Sequence, residues 1–133
     1  MSLRTQADTG RQGEGQRDML QDWDAVVAIG CTLPGVEPGT SYGRPALRFR
    51  GKTLASTTAP DPGSFVLHIG LDEKEILLDT DPATFWQTDH YDGWPAVLVR
   101  YGTGAGERIA DLLARAWWDR ATAAQRKAYG ERP

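Results

Sequence analysis

The apolar residues of this chain fall into two alternating periods. Met19, Trp23, Val26, Val27 and Gly30 recur at helical spacing and predict a first helix over residues 18–32. Leu33-Pro34-Gly35 ends it, because a residue before proline avoids the α region. From residue 45 to 50 the period drops to two. Leu47 and Phe49 then share one face, with Ala46, Arg48 and Arg50 on the other. Gly51-Lys52 is read as a two-residue type II′ turn, which pairs Phe49 with Leu54 and Arg50 with Thr53 and puts Lys52 at the tip. After Ala59-Pro60-Asp61-Pro62-Gly63, a third strand is expected over 64–69, with Phe65, Leu67 and Ile69 toward the helices.

Asp72 and Glu75 have the spacing of a capping box, so a second helix should start there and pack Ile76 and Leu77 inward. Asp81-Pro82 predicts a short helical turn before Phe85 and Trp86. Residues 87–91 and 94–101 read as a hairpin closed by a type I′ turn at Asp92-Gly93, with Tyr91 and Trp94 as a cross-strand aromatic pair. Pro95 suits a strand start or an unpaired edge position. Ile109, Leu112, Leu113, Ala116 and Trp117 make a full helical stripe over about 106–119, and Trp118 falls outside it. Thr122 with Gln125 offers a second capping box, for a terminal helix reaching about Tyr129. The predicted order is α-β-β-β-α-β-β-α plus a C-terminal helix. Hairpin links make this an α+β fold, a two-layer arrangement with an antiparallel sheet and one sheet face left open.

At 133 residues the chain fits one domain, which buries roughly two-thirds of its unfolded surface without staples. Residues 1–17 are polar and aperiodic and are read as a flexible tail, leaving 18–133 as the single domain. The single cysteine, Cys31, excludes an internal disulfide, and no Cys/His spacing suggests zinc, so neither metal nor cofactor is expected. Without a long apolar run or a basic-apolar leader, the expectation is a cytoplasmic protein with no membrane partner.

Net charge is −3, with a pI near 5.3, which argues against a wholly basic nucleic-acid binder. The charges are banded, however. Residues 41–60 hold Arg44, Arg48, Arg50 and Lys52 and no acid, whereas residues 61–99 hold eight acids and only Lys74 as a base. The stretch from Arg100 onward carries seven bases and four acids.

An ordered set of short motifs runs from about Trp23 to Trp118: Leu33-Pro34-Gly35, Thr40-Ser41-Tyr42-Gly43, Gly51-Lys52, Asp81-Pro82, His90-Tyr91 with Gly93-Trp94-Pro95, and Ala116-Trp117. In order and spacing it resembles the MmcQ/YjbR family. The resemblance implies a two-layer α/β fold similar to type III secretion chaperones and to frataxin-type domains. It also implies DNA binding through two hairpin wings. Gly102-Thr103-Gly104-Ala105-Gly106 and the long tails depart from the family pattern.

The candidate nucleic-acid contacts are Arg48, Arg50 and Lys52 on the first hairpin, His90, Tyr91 and Trp94 on the second, and Arg100. Arginine and lysine would track phosphates, and the aromatic residues would stack on bases. Set against this, the cations would equally suit a solvated face or an interface with acidic protein, and the aromatics would suit hairpin packing. The open face or the strand ending at Tyr101 could instead take a protein partner or a second copy. His90 with Asp89 or Asp92 resembles half of a catalytic relay, but no nucleophile has a matching context, so no enzyme is expected. The glycine-rich loop lacks the G-x-G-x-x-G spacing and a following lysine, and is read as a connector. Asp72, Glu73, Glu75, Asp79 and Asp81 suit helix caps and an exposed face better than a metal site. Cys31 is expected to be half-buried.

Overall fold

A computed structural model describes residues 20–133. The polar segment 1–17 and residues 18–19 of the expected first helix lie outside the described residues; Leu20 and Gln21 are not helical, and the helix starts at Trp23 from an Asp22 cap and ends at Gly30. The elements are α1 (Trp23–Gly30), β1 (Glu37–Ser41), β2 (Arg44–Phe49), β3 (Lys52–Ser56), β4 (Ser64–His68), α2 (Leu71–Thr80), β5 (Phe85–Trp86), β6 (Ala96–Arg100), α3 (Gly106–Arg120) and α4 (Ala123–Tyr129). The six strands form one antiparallel sheet in the order β1-β2-β3-β4-β6-β5. The expected α+β architecture is present, with one strand more than periodicity suggested. β1, Glu-Pro-Gly-Thr-Ser, has no apolar residue to reveal it.

The main core lies between the sheet and the helices. Leu47, Phe49, Leu54, Phe65, Leu67, Val97 and Val99 face Val26, Leu77, Ile109, Leu112, Leu113 and Trp117. Each such buried side chain contributes about 1.5–3 kcal/mol relative to leaving it exposed. The α3 stripe is buried as its spacing requires, and the Trp117 indole N–H donates to the Pro34 carbonyl at 2.8 Å. Trp118 is half-buried beneath Tyr129, with the Arg126 guanidinium 5.4 Å from its ring centre. The capping box of α4 forms, with Thr122 and Gln125 serving each other's backbone. β6 lies between β4 and β5, with Val97 and Val99 in the main core and Ala96 and Leu98 on the opposite face. Its ladder with β5 is limited to Phe85↔Val99 and Trp86↔Leu98.

Several local expectations are corrected. The first hairpin turns at Arg50-Gly51, whose φ angles of 51° and 76° match a type I′ loop, and Phe49 pairs with Lys52. Lys52 is thus the first residue of β3. A bulge then leaves Leu54 between the Arg48↔Thr53 and Leu47↔Ala55 pairs. It turns Leu54 and Ala55 to the core and keeps Ser56 on the open face. Without the extra residue, Ser56 would point into the apolar core. α2 starts from Gly70 with no side-chain cap, Ile76 is 56% exposed, and Cys31 is exposed at the end of α1. Asp81 closes a non-helical turn through bonds from the Thr84 and Phe85 amides.

The second hairpin does not form as expected. Only Phe85↔Val99 and Trp86↔Leu98 pair, and the chain then makes a 3-10 turn at Asp89–Tyr91. Asp92 has φ −61° and ψ 128°, Gly93 has φ 78°, and the Trp94 amide donates to the Tyr91 carbonyl at 3.0 Å. Those are type II angles, because Asp92 keeps the negative φ that suits a non-glycine residue. Tyr91 and Trp94 are the first and last residues of one turn, whose corners are Asp92 and Gly93, and they do not face each other across two strands.

Candidate functional site

The helices cover one face of the sheet, and the other face carries a groove of about 770 Å³. Val66, Ala96 and Ser56 form its floor together with His68. One wall is the β1–β2 turn, which presents Tyr42 and Arg44. The opposite wall is the segment from His90 to Trp94. Tyr42 and Gly43 sit at φ 52° and 75°, a second type I′ loop, and this projects Tyr42 into solvent. Tyr42 is 98% exposed and Trp94 63%, a large aromatic surface left in water at the rim of a concavity.

A second concavity of about 480 Å³ adjoins the groove and shares Ser41, Tyr42 and His68 with it. It exists because β3 and β4 pair only at Ala55↔Leu67 and Ser56↔Val66. Beyond those pairs the strands separate, and Arg48, Lys52, Thr53 and Arg120 line the notch with His68. No aspartate or glutamate lines either the groove or the notch. An adjoining concavity shares Lys52, His68 and Arg120 with the notch and is lined also by Glu73 and Asp119, and Glu73 pairs with Arg115 of α3 at 2.5 Å.

The cations differ in their freedom. The Arg48 guanidinium donates to the Thr53 hydroxyl and to the Gly51 carbonyl, the latter at 2.9 Å. Its aliphatic stem lies against Gly39, where a Cβ would come within 2.8 Å of Arg48 Cγ. Arg50 points the other way and donates to the Arg120 carbonyl at the C-terminus of α3, at 2.8 Å. Arg44 and Lys52 have no ion pair or side-chain hydrogen bond among the described residues. Arg100 is outside both concavities. Its guanidinium lies 4.9 Å from the Trp86 ring centre and donates to the Pro82 and Ala83 carbonyls. Burial, and then the nearby Arg120, lower the pKa of His68, so the ring favours its neutral form. Burial likewise lowers that of Arg120, opposed by Asp119.

The aromatic wall is pinned from beneath. Lys74, only 3% exposed, donates through its ammonium to the carbonyls of Tyr91 at 2.5 Å and Trp94 at 2.9 Å. Burial lowers its pKa, and the Asp92 carboxylate opposes that shift. His90 packs edge-on against Tyr91, with centroids 5.1 Å apart, and makes no hydrogen bond to Asp89 or Asp92.

Of the residues expected at a site, Arg48 and Lys52 meet in the notch, and His90, Tyr91 and Trp94 meet in the groove wall. Arg50 and Arg100 join neither. Sequence reasoning missed Tyr42, His68, Arg120 and the supporting Lys74 as parts of the site. The Tyr42-Gly43 dipeptide was a usable turn signal. Nothing local marks Lys74, whose partners lie 17 and 20 residues away. Among the described residues no group of three His, Cys, Asp or Glu side chains could hold a metal, and no helix is long and apolar enough to cross a membrane. The glycine-rich loop is tied down by a bond between the Thr84 and Thr103 hydroxyls at 2.6 Å, and by the Gly102 amide donating to the Leu20 carbonyl.

The chain is similar to uncharacterized protein Rv2570 of Mycobacterium tuberculosis and uncharacterized protein Mb2600 of Mycobacterium bovis, each 24% identical over 80 residues. That stretch is 58% of this chain and 62% of each relative. The crystal structure of Deinococcus radiodurans protein DR2400, which carries a DUF419 domain, superimposes with a TM-score of 0.62 at 19% identity. The match covers 83% of this chain and 88% of that one, and speaks for the fold. The YjbR family model matches residues 31–118, which include β1 through β6, the groove and all of α3 but Asp119 and Arg120. On that match the chain belongs to the YjbR family.

Proposed function

We propose that this chain is a non-enzymatic binding domain that takes a single nucleic-acid strand across the open face of its sheet. One observation carries the reading: exposed Tyr42 and Trp94 flank a groove and a notch that are lined by cations and by no carboxylate. Bases stack on exposed aromatic rings, and cations track the backbone, so the two features together fit an unpaired strand better than a duplex. The overall acidity of the chain is compatible with this, because no carboxylate lines the groove or the notch, although Glu37 sits opposite Arg48 in the β1–β2 ladder. The net repulsion makes affinity modest and strongly dependent on salt. The reading is non-enzymatic because His90 packs edge-on against Tyr91 and makes no hydrogen bond to a carboxylate among the described residues.

Fluorescence anisotropy with labelled single-stranded and duplex oligonucleotides of about 12 nucleotides tests the reading. The single strand should bind more tightly at ~50 mM salt and lose at least tenfold in affinity by ~200 mM. Tyr42→Ala with Trp94→Ala should weaken binding, as should Arg44→Ala with Arg48→Ala. Absence of binding at low salt, or indifference to both double variants, overturns it.

A further inference from the structure

Resting on that reading, we propose that the notch between β3 and β4 seats a phosphomonoester, the terminal phosphate of a strand whose end base stacks in the adjoining groove. Four elements supply its lining: Arg48 from β2, Lys52 from β3, His68 from β4 and Arg120 from the last turn of α3. Three of these are cations, and no acid lines the notch itself; Glu73 and Asp119 line the concavity on the far side of Lys52 and Arg120. An internal phosphodiester carries a single charge. A phosphomonoester carries about −1.5 to −2 near neutral pH and offers three oxygens, which is a better match to three cations on different sides.

Two of the cations are in place before any ligand arrives. Arg48 is held by the Thr53 hydroxyl and the Gly51 carbonyl, and Arg120 donates to the Ala116 carbonyl at 2.9 Å. Ordering them on binding therefore costs little. Lys52 has no such tether among the described residues and can close on the ligand. The notch and the aromatic groove share Ser41, Tyr42 and His68, so a bound phosphate lies beside a stacking position and not remote from it. The recognised unit is a phosphate next to a base, which a strand end and a free mononucleotide both provide.

Competition anisotropy separates these sources. Unlabelled oligonucleotides of one sequence, with a 5′-phosphate, a 3′-phosphate or hydroxyls at both ends, compete against a labelled strand, and a nucleoside monophosphate is titrated separately by calorimetry. One of the two phosphorylated strands should compete about tenfold better than the hydroxyl strand. Lys52→Ala should abolish that preference, costing the phosphorylated strand about tenfold more affinity than the hydroxyl strand, while leaving the melting temperature nearly unchanged. Equal competition by all three strands overturns the phosphate seat and leaves strand binding standing. Failure of every strand together with mononucleotide binding that Lys52→Ala removes overturns strand binding and keeps the seat. A preference that survives Lys52→Ala and Arg120→Gln alike places the phosphate elsewhere and overturns the assignment.

Discussion

The ammonium of Lys74 donates to the main-chain carbonyl of Trp94 at 2.9 Å, joining α2 on the helical side to the rim of the groove on the other. The same nitrogen reaches the Tyr91 carbonyl, so one buried cation closes the turn that carries two aromatic rings. Replacing it leaves two carbonyls without their donor.

Lys74→Met keeps the aliphatic stem and removes the ammonium. It is expected to destabilise the fold by about 1–3 kcal/mol in urea titrations, the cost of leaving buried polar groups unmet. The loss should be accompanied by a change in tryptophan emission as Trp94 moves, and by weaker oligonucleotide binding. Unchanged stability and emission would mean that the turn holds itself.

Arg50 separates a structural cation from a binding one. Its guanidinium serves the C-terminus of α3, and its φ of 51° suits asparagine better than most residues. Arg50→Ala should cost about 0.5–1.5 kcal/mol, and Arg50→Asn less, because asparagine tolerates the left-handed conformation. Neither change should alter oligonucleotide affinity as Arg48→Ala does. A loss of affinity equal to that of Arg48→Ala would return Arg50 to the interface.

Gly30 shows packing overriding helix propensity. A Cβ there would lie 2.4 Å from Leu47 Cδ1, and Leu47 is fully buried. Alanine favours the helix by up to about 1 kcal/mol, whereas overpacking costs about 1–3 kcal/mol. Gly30→Ala should therefore lower stability. Combined with Leu47→Val, the loss should be less than the sum of the two single changes, since the smaller side chain makes room.

Tyr101 supplies a pH test. Burial against Phe65, with the Asp22 carboxylate adding to it, raises its phenol to about 12. The raised value favours the neutral phenol in the folded state. Its contribution is complete below the ordinary value near 10 and is lost as pH climbs from about 10 to 12, where the unfolded chain ionises first. An ultraviolet phenolate titration should show one of the four tyrosines ionising late. Tyr101→Phe should remove that late step and flatten the alkaline loss of stability. Four tyrosines ionising together would contradict the burial.

Much of the fold was legible from residue order. The α3 stripe, the alternation through Leu47 and Phe49, the inward set Phe65, Leu67 and Ile69, and the Thr122–Gln125 cap each follow from spacing alone, because each concerns neighbours within a few residues. Arg48, Arg50 and Lys52 read as one basic hairpin, of which Arg48 and Lys52 meet in the notch. The turn register was not recoverable in the same way. Gly51 serves either a type II′ or a type I′ loop, and the choice depends on where Leu54, Ala55 and Ser56 fall against the rest of the core.

The sequence by itself determined the main helices and the core strands, though not β1 or the 3-10 turn at Asp89–Tyr91, and it determined which faces are apolar and that the stretch from Arg44 to Lys52 is free of acid. Only the tertiary structure decided what those cations face. Arg50 is taken by the end of α3, Arg100 by Trp86, and Arg48 and Lys52 are joined by Arg120 from 68 or more residues away at a gap between two strands. The physical reason is range: periodicity and capping act over a turn or two, whereas a concavity is made by elements that meet only after the chain has closed on itself.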